Sequence, residues 1–273
     1  MIHQNIVFIG AGNMARAIIA GLRQKGVPGQ QIQVHAPSTP RRDALAEAFG
    51  VRSRPAKAEK LAADSIVIYA AKPKQIEAIL AEWQAHFRAA QVLFLSVAAG
   101  ISSHQLTTAL GDAAAVLRAM PNTPAQVGAG ATALFASPAV TATQSAIAES
   151  VFSSVGQVYW LKDESLMDAV TALSGSGPAY VLLFLEALED AAVLQGLDRN
   201  TARGLALQTV LGTAQMAVAS PQSPNELRHQ VTSPGGTTAA GLAVWEEQLR
   251  ALTQRAITAA ADRSRALGQT KKV

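Results

Sequence analysis

The chain has no cysteine among its 273 residues. That absence removes disulfides, thiolate metal ligands and a cysteine nucleophile together. Charge is scarce as well: Asp, Glu, Lys and Arg make up 15% of the chain, against about a quarter in ordinary soluble domains. So little charge implies either a large core or apolar surface covered by another subunit, and a shared interface is the expectation. Long apolar runs are missing too, since each is interrupted well before the ~20 residues that span a membrane. No membrane partner is expected. Aromatic residues amount to 5% and the net charge to +4. This is poor footing for a nucleic-acid partner, although a basic balance suits small anions. Residues 1–5 lack the basic and apolar stretches of a signal peptide, so the cytoplasm is the expected compartment. The five histidines show no metal-ligand spacing, and no metal is expected.

Alternation is what the first part of the chain does have. Short apolar runs at Ile6–Ile9, Ile32–His35, Ser65–Ala70, Val92–Val97, Val116–Met120, Thr132–Phe135 and Val158–Trp160 read as strands. Amphipathic stretches at Met14–Gln24, Asp43–Phe49, Pro73–His86 and Ser103–Leu110 separate the early ones. Strand and helix in alternation imply a mostly parallel sheet covered on both faces. Strand signals stop near residue 162. Asp163–Leu173 reads as one helix with Asp163 as its cap, and Pro178 opens another that ends at Gly196. Residues 179–197 are apolar on nearly every face, the pattern of a helix buried all round. Asn200 or Asp198 caps a helix running to about Ser220, and a last helix follows Gly236. The pattern predicts two domains, 1–162 and 163–273, with only the tail Gly268–Val273 disordered.

The first strand runs directly into Gly10-Ala11-Gly12-Asn13-Met14-Ala15 and then a helix. This is G-x-G-x-x-A in the setting that gives the motif meaning. Gly10 permits a tight turn, Gly12 lets the backbone approach a pyrophosphate, and Ala15 allows close helix–strand packing. The phosphates would meet free N–H groups at the positive end of the helix. NAD-preferring proteins usually place an acid at the end of the second strand. Here the segment reads His35-Ala36-Pro37-Ser38-Thr39-Pro40-Arg41-Arg42, with no acid before Asp43. Ser38 and Thr39 can donate to a 2′-phosphate, and Arg41 or Arg42 can pair with it. The missing acid favours NADP, with NAD as the alternative. The blander reading of the two arginines is a solvated helix start.

These residues belong to a wider resemblance. With Ala71-Lys72-Pro73, Arg118–Pro124, Ala172–Tyr180 and Val231–Thr238, the chain resembles pyrroline-5-carboxylate reductases over essentially its whole length. The resemblance implies an α/β architecture: an N-terminal Rossmann-type dinucleotide-binding domain followed by an all-helical dimerisation domain. It implies an NAD(P)H-dependent reduction of a cyclic imine to proline by an intertwined homodimer, commonly assembled into a decamer. It places cofactor contacts at Gly10, Ala11, Gly12, Asn13 and Met14, at Ser38, Thr39, Arg41 and Arg42, at Ala71, Lys72 and Pro73, and at Asn122. Substrate contacts fall at Ser233, Gly236, Thr237 and Thr238, and Thr238 is the residue whose hydroxyl meets the imine nitrogen. One position departs from the pattern: Ala56 stands where an asparagine that helps hold the adenosine phosphate is usual.

The segment Thr232–Thr238 has features that suit a small carboxylate. Pro234, Gly235 and Gly236 shape a tight turn just ahead of a helix, whose first N–H groups have no internal acceptor. An ordinary loop with a threonine cap would need fewer glycines and hydroxyls. Lys72 and Asn122 also admit plain readings, a solvated ammonium and a loop cap. The segment Ser174-Gly175-Ser176-Gly177 lacks the nucleophile-elbow spacing and reads as a hinge and helix start. A hydroxyacid dehydrogenase of related plan would use a lysine from the second domain, and none occurs between Lys162 and Lys271.

Overall fold

In the computed structural model, residues 2–269 are described. Eight strands form one sheet in the order β3-β2-β1-β4-β5-β6-β7-β8. They are β1 (Ile6–Ile9), β2 (Ile32–His35), β3 (Arg52–Arg54), β4 (Ile66–Tyr69), β5 (Leu93–Ser96), β6 (Ala115–Met120), β7 (Gly130–Ala136) and β8 (Gly156–Trp160). From β3 to β6 every pairing is parallel, β7 runs antiparallel to β6, and β8 runs parallel to β7. Strand order reverses between β1 and β4, the kind of switch point where α/β sheets bind ligands.

The central strands are buried on both faces, as parallel strands under helices must be. In β1, Ile6 and Phe8 join one core with Ile18, Ile19 and Phe152, from α1 (Asn13–Gln24) and α5 (Ala142–Phe152). Val7 and Ile9 join the other, with Trp83, Phe87 and Leu106, from α3 (Ile76–Ala89) and α4 (Ser103–Leu110). α2 (Thr39–Phe49) adds Leu45 to the first core.

Several elements differ from the sequence pattern. β3 has no apolar run: Arg-Ser-Arg pairs only with β2, as an edge strand whose side chains can stay solvated. α5 and α9 (Pro224–Gln230) are both announced by capping boxes, Thr141 with Gln144 and Ser223 with Glu226. The single helix expected over 163–173 is broken. Asp163 does cap, accepting from the Ser165 N–H, but it opens only a 3₁₀ turn at Glu164–Leu166. The short α6 (Met167–Val170) and a π-helical turn at Thr171–Gly175 come after that turn.

The chain divides into two compact units, residues 1–176 with 260–273, and residues 177–259. The first therefore continues past 162, and polar contacts explain why. Glu164 accepts from the Ser103 N–H at 2.6 Å and pairs with Arg118 at 2.6 Å, both groups largely buried. Asp168 accepts from the Ser264 hydroxyl at 2.6 Å.

The second unit contains α7 (Gly177–Leu194), α8 (Arg199–Ala219), α9 and the greater part of α10 (Thr237–Gln269). Asp198, not Asn200, caps α8, accepting from the N–H groups of Asn200 and Thr201. Arg203 and Arg199 both pair with Glu189, at 2.9 Å each, and so tie α8 to α7. Phe184 meets Trp245 edge-on with ring centroids 5.2 Å apart, joining α7 to α10. α7 is not buried all round in the single chain: Leu182 and Leu183 are 64% and 65% exposed, and Leu205 and Leu211 of α8 are exposed as well. The tail expected to be disordered begins inside α10, which continues through Gln269, and residues 270–273 lie outside the described ones. Among the described residues, no helix is long and apolar enough to cross a membrane, and no His, Asp and Glu group is placed to hold a metal.

Candidate active site

Gly10 follows directly on β1 at the switch point. Its N–H donates to the His35 carbonyl at 2.8 Å, and its φ of +117° suits glycine alone. A Cβ there would lie 2.6 Å from the Ala70 oxygen. The loops after β1 and β4 are thus pressed together at the crevice. Gly12 is different. It caps α1 in extended geometry without any side-chain hydrogen bond, and its Cβ would meet only Ala70 O at 4.0 Å. Nothing among the described residues demands glycine at that position. A side chain there would instead fill the space in front of the uncapped N–H groups of α1. Ala15 is fully buried beneath it, Ala11 and Met14 pack partly on the same core, and Asn13 is exposed.

At the end of β2 the two arginines part company. Arg42 turns inward: Nη1 donates to the Ala36 carbonyl at 2.9 Å and Nε to Ser53 Oγ at 3.1 Å, leaving its side chain 14% exposed. Ser53 Oγ donates in turn to Asp43 at 2.7 Å. Arg42 therefore braces the loop against β3, while Arg41 and Thr39 are exposed. Ser38 stands at the N-cap of α2 without making a capping bond, so its hydroxyl and the first-turn N–H groups are uncommitted to each other. Ala56 is exposed in the loop after β3.

Beneath this loop His35 is 2% exposed, edge-on to Trp83 at 4.8 Å, with Nδ1 3.2 Å from the Pro55 carbonyl and Nε2 3.6 Å from Glu59. Burial lowers its pKa; Glu59 opposes the effect without overcoming it.

After β4, the Tyr69 hydroxyl donates to the Lys72 carbonyl at 2.8 Å, fixing the Ala71-Lys72-Pro73 turn, and burial pushes the Tyr69 phenol pKa up. Lys72 itself is exposed. Past β6, Asn122 bonds through both ends of its amide, donating to the Ser174 carbonyl and accepting from the Ala131 N–H. The carboxyl edge of the sheet thus gathers Gly10–Met14, Ser38–Arg42, Ala71–Pro73 and Asn122. The turn after β5, 97–100, shares that edge. The sequence pattern gives it no role, because Val-Ala-Ala-Gly carries no polar side chain. The buried Thr132 hydroxyl, which has no hydrogen-bond partner among the described residues, is equally silent in the sequence for lack of a motif.

In the second unit, α9 and α10 are joined by Arg228 pairing with Glu246. Between them Thr232 Oγ1 donates to the Arg228 carbonyl at 2.6 Å, Gly236 N–H donates to the Ser233 carbonyl at 3.1 Å, and Gly235 takes φ +71°. Two loop amides are therefore used internally, that of Gly236 and that of Thr232, which donates to the His229 carbonyl at 3.2 Å, contrary to a wholly free loop. The N–H groups of Thr237, Thr238 and Ala239 lie in the first turn of α10, where a helix offers them no carbonyl. Ser233, Thr237 and Thr238 are exposed.

Comparison with known proteins agrees with this plan. A family model described as "NADP oxidoreductase coenzyme F420-dependent" matches residues 5–100, and one described as "Pyrroline-5-carboxylate reductase dimerisation" matches residues 164–267. The chain is therefore a Rossmann-type α/β unit followed by a helical dimerisation region. The pyrroline-5-carboxylate reductase of Pseudomonas aeruginosa is 43% identical, covering 97% of both chains. The solved pyrroline-5-carboxylate reductase of Coxiella burnetii is 41% identical and superposes with a TM-score of 0.92 over 98% of this chain and 100% of its own. That of Plasmodium falciparum, solved with NADP bound, is 29% identical with a TM-score of 0.84 over 98% and 99% of the two chains. With such identity running nearly end to end, the chain belongs to the pyrroline-5-carboxylate reductase family.

Proposed function

We propose that the chain reduces 1-pyrroline-5-carboxylate to L-proline, with NADPH as the hydride source and NADH as the alternative. The observation that carries this reading is the contrast at the switch point. Gly10 is glycine because the protein leaves it no room, whereas among the described residues a Cβ on Gly12 would meet only the Ala70 oxygen, at 4.0 Å.

The space at Gly12 fits a dinucleotide. The uncapped amides of α1 and the backbone of Gly10–Met14 would hold the pyrophosphate. Ser38, Thr39 and Arg41 would take the adenosine phosphate on a loop that Arg42 keeps in shape, and Ala71, Lys72 and Pro73 would border the cofactor along β4. When bound, the reduced nicotinamide supplies a hydride to the imine carbon. Residues of the second unit would handle the substrate. Ser233, Gly236, Thr237 and the first-turn amides of α10 hold its carboxylate, and the Thr238 hydroxyl hydrogen-bonds the imine nitrogen, which gains one proton as it becomes an amine.

Residues 1–162 are assigned to dinucleotide binding and 163–273 to substrate binding and dimerisation. The homodimer is proposed to assemble further, up to a decamer, in the cytoplasm, with no nucleic-acid partner. The test is loss of reduced-nicotinamide absorbance on adding racemic 1-pyrroline-5-carboxylate, run separately with NADPH and NADH. Oxidation dependent on substrate supports the reading. Protein that binds a nicotinamide cofactor yet oxidises neither discards it.

A further inference from the structure

The π-helical turn at Thr171–Gly175 is the last element of the first unit before the chain passes into residues 177–259. π turns are rare and need a local cause. Ser176 N–H donates to the Thr171 carbonyl at 2.8 Å, a step of five residues in place of four. A proline lies just ahead. In a regular helix the Ser174 carbonyl would accept from residue 178, but that residue is Pro178, which has no N–H. A side chain supplies the missing donor: Asn122 Nδ2 donates to the Ser174 carbonyl at 3.0 Å. The other end of the same amide accepts from the Ala131 N–H at 2.9 Å, so the group is held from both sides. The turn also rests on β6 directly, since a Cβ on Gly175 would stand 2.5 Å from Met120 Cε.

We infer that Asn122 is a positioning residue and not a cofactor ligand. Its amide replaces the N–H that Pro178 lacks, and thereby fixes the turn from which the chain leaves the nucleotide-binding unit for the unit carrying Ser233–Thr238. An amide that turned toward a cofactor would abandon two backbone groups that it bonds, the Ser174 carbonyl and the Ala131 N–H. The inference rests on the reduction proposed above for its kinetic consequence, and on geometry alone for the brace.

Asn122→Asp separates these roles. A carboxylate still accepts from Ala131 but sets a negative oxygen against the Ser174 carbonyl; once protonated, its hydroxyl can donate to that carbonyl as the amide did. At about pH 8, where the new carboxyl is ionised, turnover should fall by up to about a hundredfold, the scale of a small misplacement. The NADPH dissociation constant, read by fluorescence, should remain within about twofold, because positioning residues do not contribute directly to cofactor affinity. The deficit relative to wild type should shrink as the pH is lowered toward the carboxyl pKa. Hydrogen exchange should quicken at residues 174–179 in the ionised variant.

A proportional loss of NADPH affinity would make Asn122 a cofactor contact, and a deficit indifferent to pH would make it general scaffolding; either overturns the inference. Wild-type enzyme inactive in the same assay would defeat the proposed reaction, leaving hydrogen exchange to judge the brace. Should the variant not fold, wild-type exchange decides: the amides of 171–177 and Ala131 must open together as denaturant is added, and independent opening refutes the brace.

Discussion

Gly10 and Ala70 approach so closely that no side chain fits between them, a methyl group on Gly10 standing 2.6 Å from the Ala70 oxygen. Gly10→Ala must push β1 and β4 apart while also straining a φ of +117°, so a stability loss of at least ~2 kcal/mol is expected. Gly12→Ala meets only one atom, at 4.0 Å, and should unfold within about 0.5 kcal/mol of wild type, as unconstrained substitutions do. Its cofactor affinity should nonetheless drop at least tenfold. Denaturant titration and calorimetric NADP⁺ binding check both, and equal destabilisation by the two changes would mean that the glycines have the same role.

The adjacent arginines should behave as unlike residues. Arg41→Ala is expected to weaken NADP⁺ binding about tenfold, the worth of one charge-assisted contact, with NAD⁺ binding unchanged. Arg42→Ala frees the Ala36 carbonyl and Ser53 and should weaken both cofactors together while lowering Tm. Calorimetry with each nucleotide separates the cases; selective loss of NADP⁺ by Arg42→Ala alone would reverse the assignment.

Thr238 is exposed at the start of α10, where its hydroxyl has no role in holding the loop that Thr232 and Ser233 already hold. Thr238→Ala should reduce kcat about a hundredfold, within the usual range for a lost proton donor, and leave NADPH affinity nearly unchanged. Thr238→Ser should retain most activity. A parallel fall in thermal stability and rate would mark the residue as structural.

His35 makes stability depend on pH. Burial lowers its folded pKa against the pull of Glu59, while Arg54 acts with burial. The unfolded chain thus binds the proton more readily than the folded one, so the neutral imidazole's contribution is complete above about pH 6.5 and is lost as pH falls through the folded value. The fall in Tm between about pH 7 and pH 5 should accordingly be smaller in His35→Gln than in wild type. Parallel curves would show that the imidazole binds its proton equally well in both states.

The apolar face of α7 provides a test of association. Leu183 is 65% exposed in the single chain, and covering such a side chain contributes roughly 1.5–3 kcal/mol. Leu183→Glu should shift the protein toward monomer in light scattering and leave α-helical circular dichroism intact. An unchanged oligomer would mean that this face is not the one a second subunit covers.

What could be read in the sequence was set by burial. β1 and β2 have the bounds their apolar runs predicted, and the glycine loop lies where its flanking strand and helix placed it. β3 was invisible because an edge strand of Arg-Ser-Arg needs no apolar face, and with it went the Ser53 contact that turns Arg42 inward. The helices of 142–152 and 224–230 carried legible capping boxes but weak periodicity. The break at Thr171–Gly175 was legible only in hindsight, from a proline four residues beyond a serine whose carbonyl needed a donor. Low charge pointed correctly to a shared surface, though not to the helices that carry it.

The first unit is discontinuous: residues from 260 onward return to it, and the Ser264 hydroxyl closes on Asp168 across 96 positions. On the ribosome this imposes an order of events. The sheet and its glycine loop can collapse early, but their last buttress is not available until Ser264 has left the exit tunnel. At ~5–20 residues per second, synthesis from Asp168 to Ser264 takes several seconds at the least. For that interval the nascent chain holds an unfinished nucleotide fold beside helices with bare leucines. It is during this wait that chaperones, or a dinucleotide already bound at the crevice, have most to contribute.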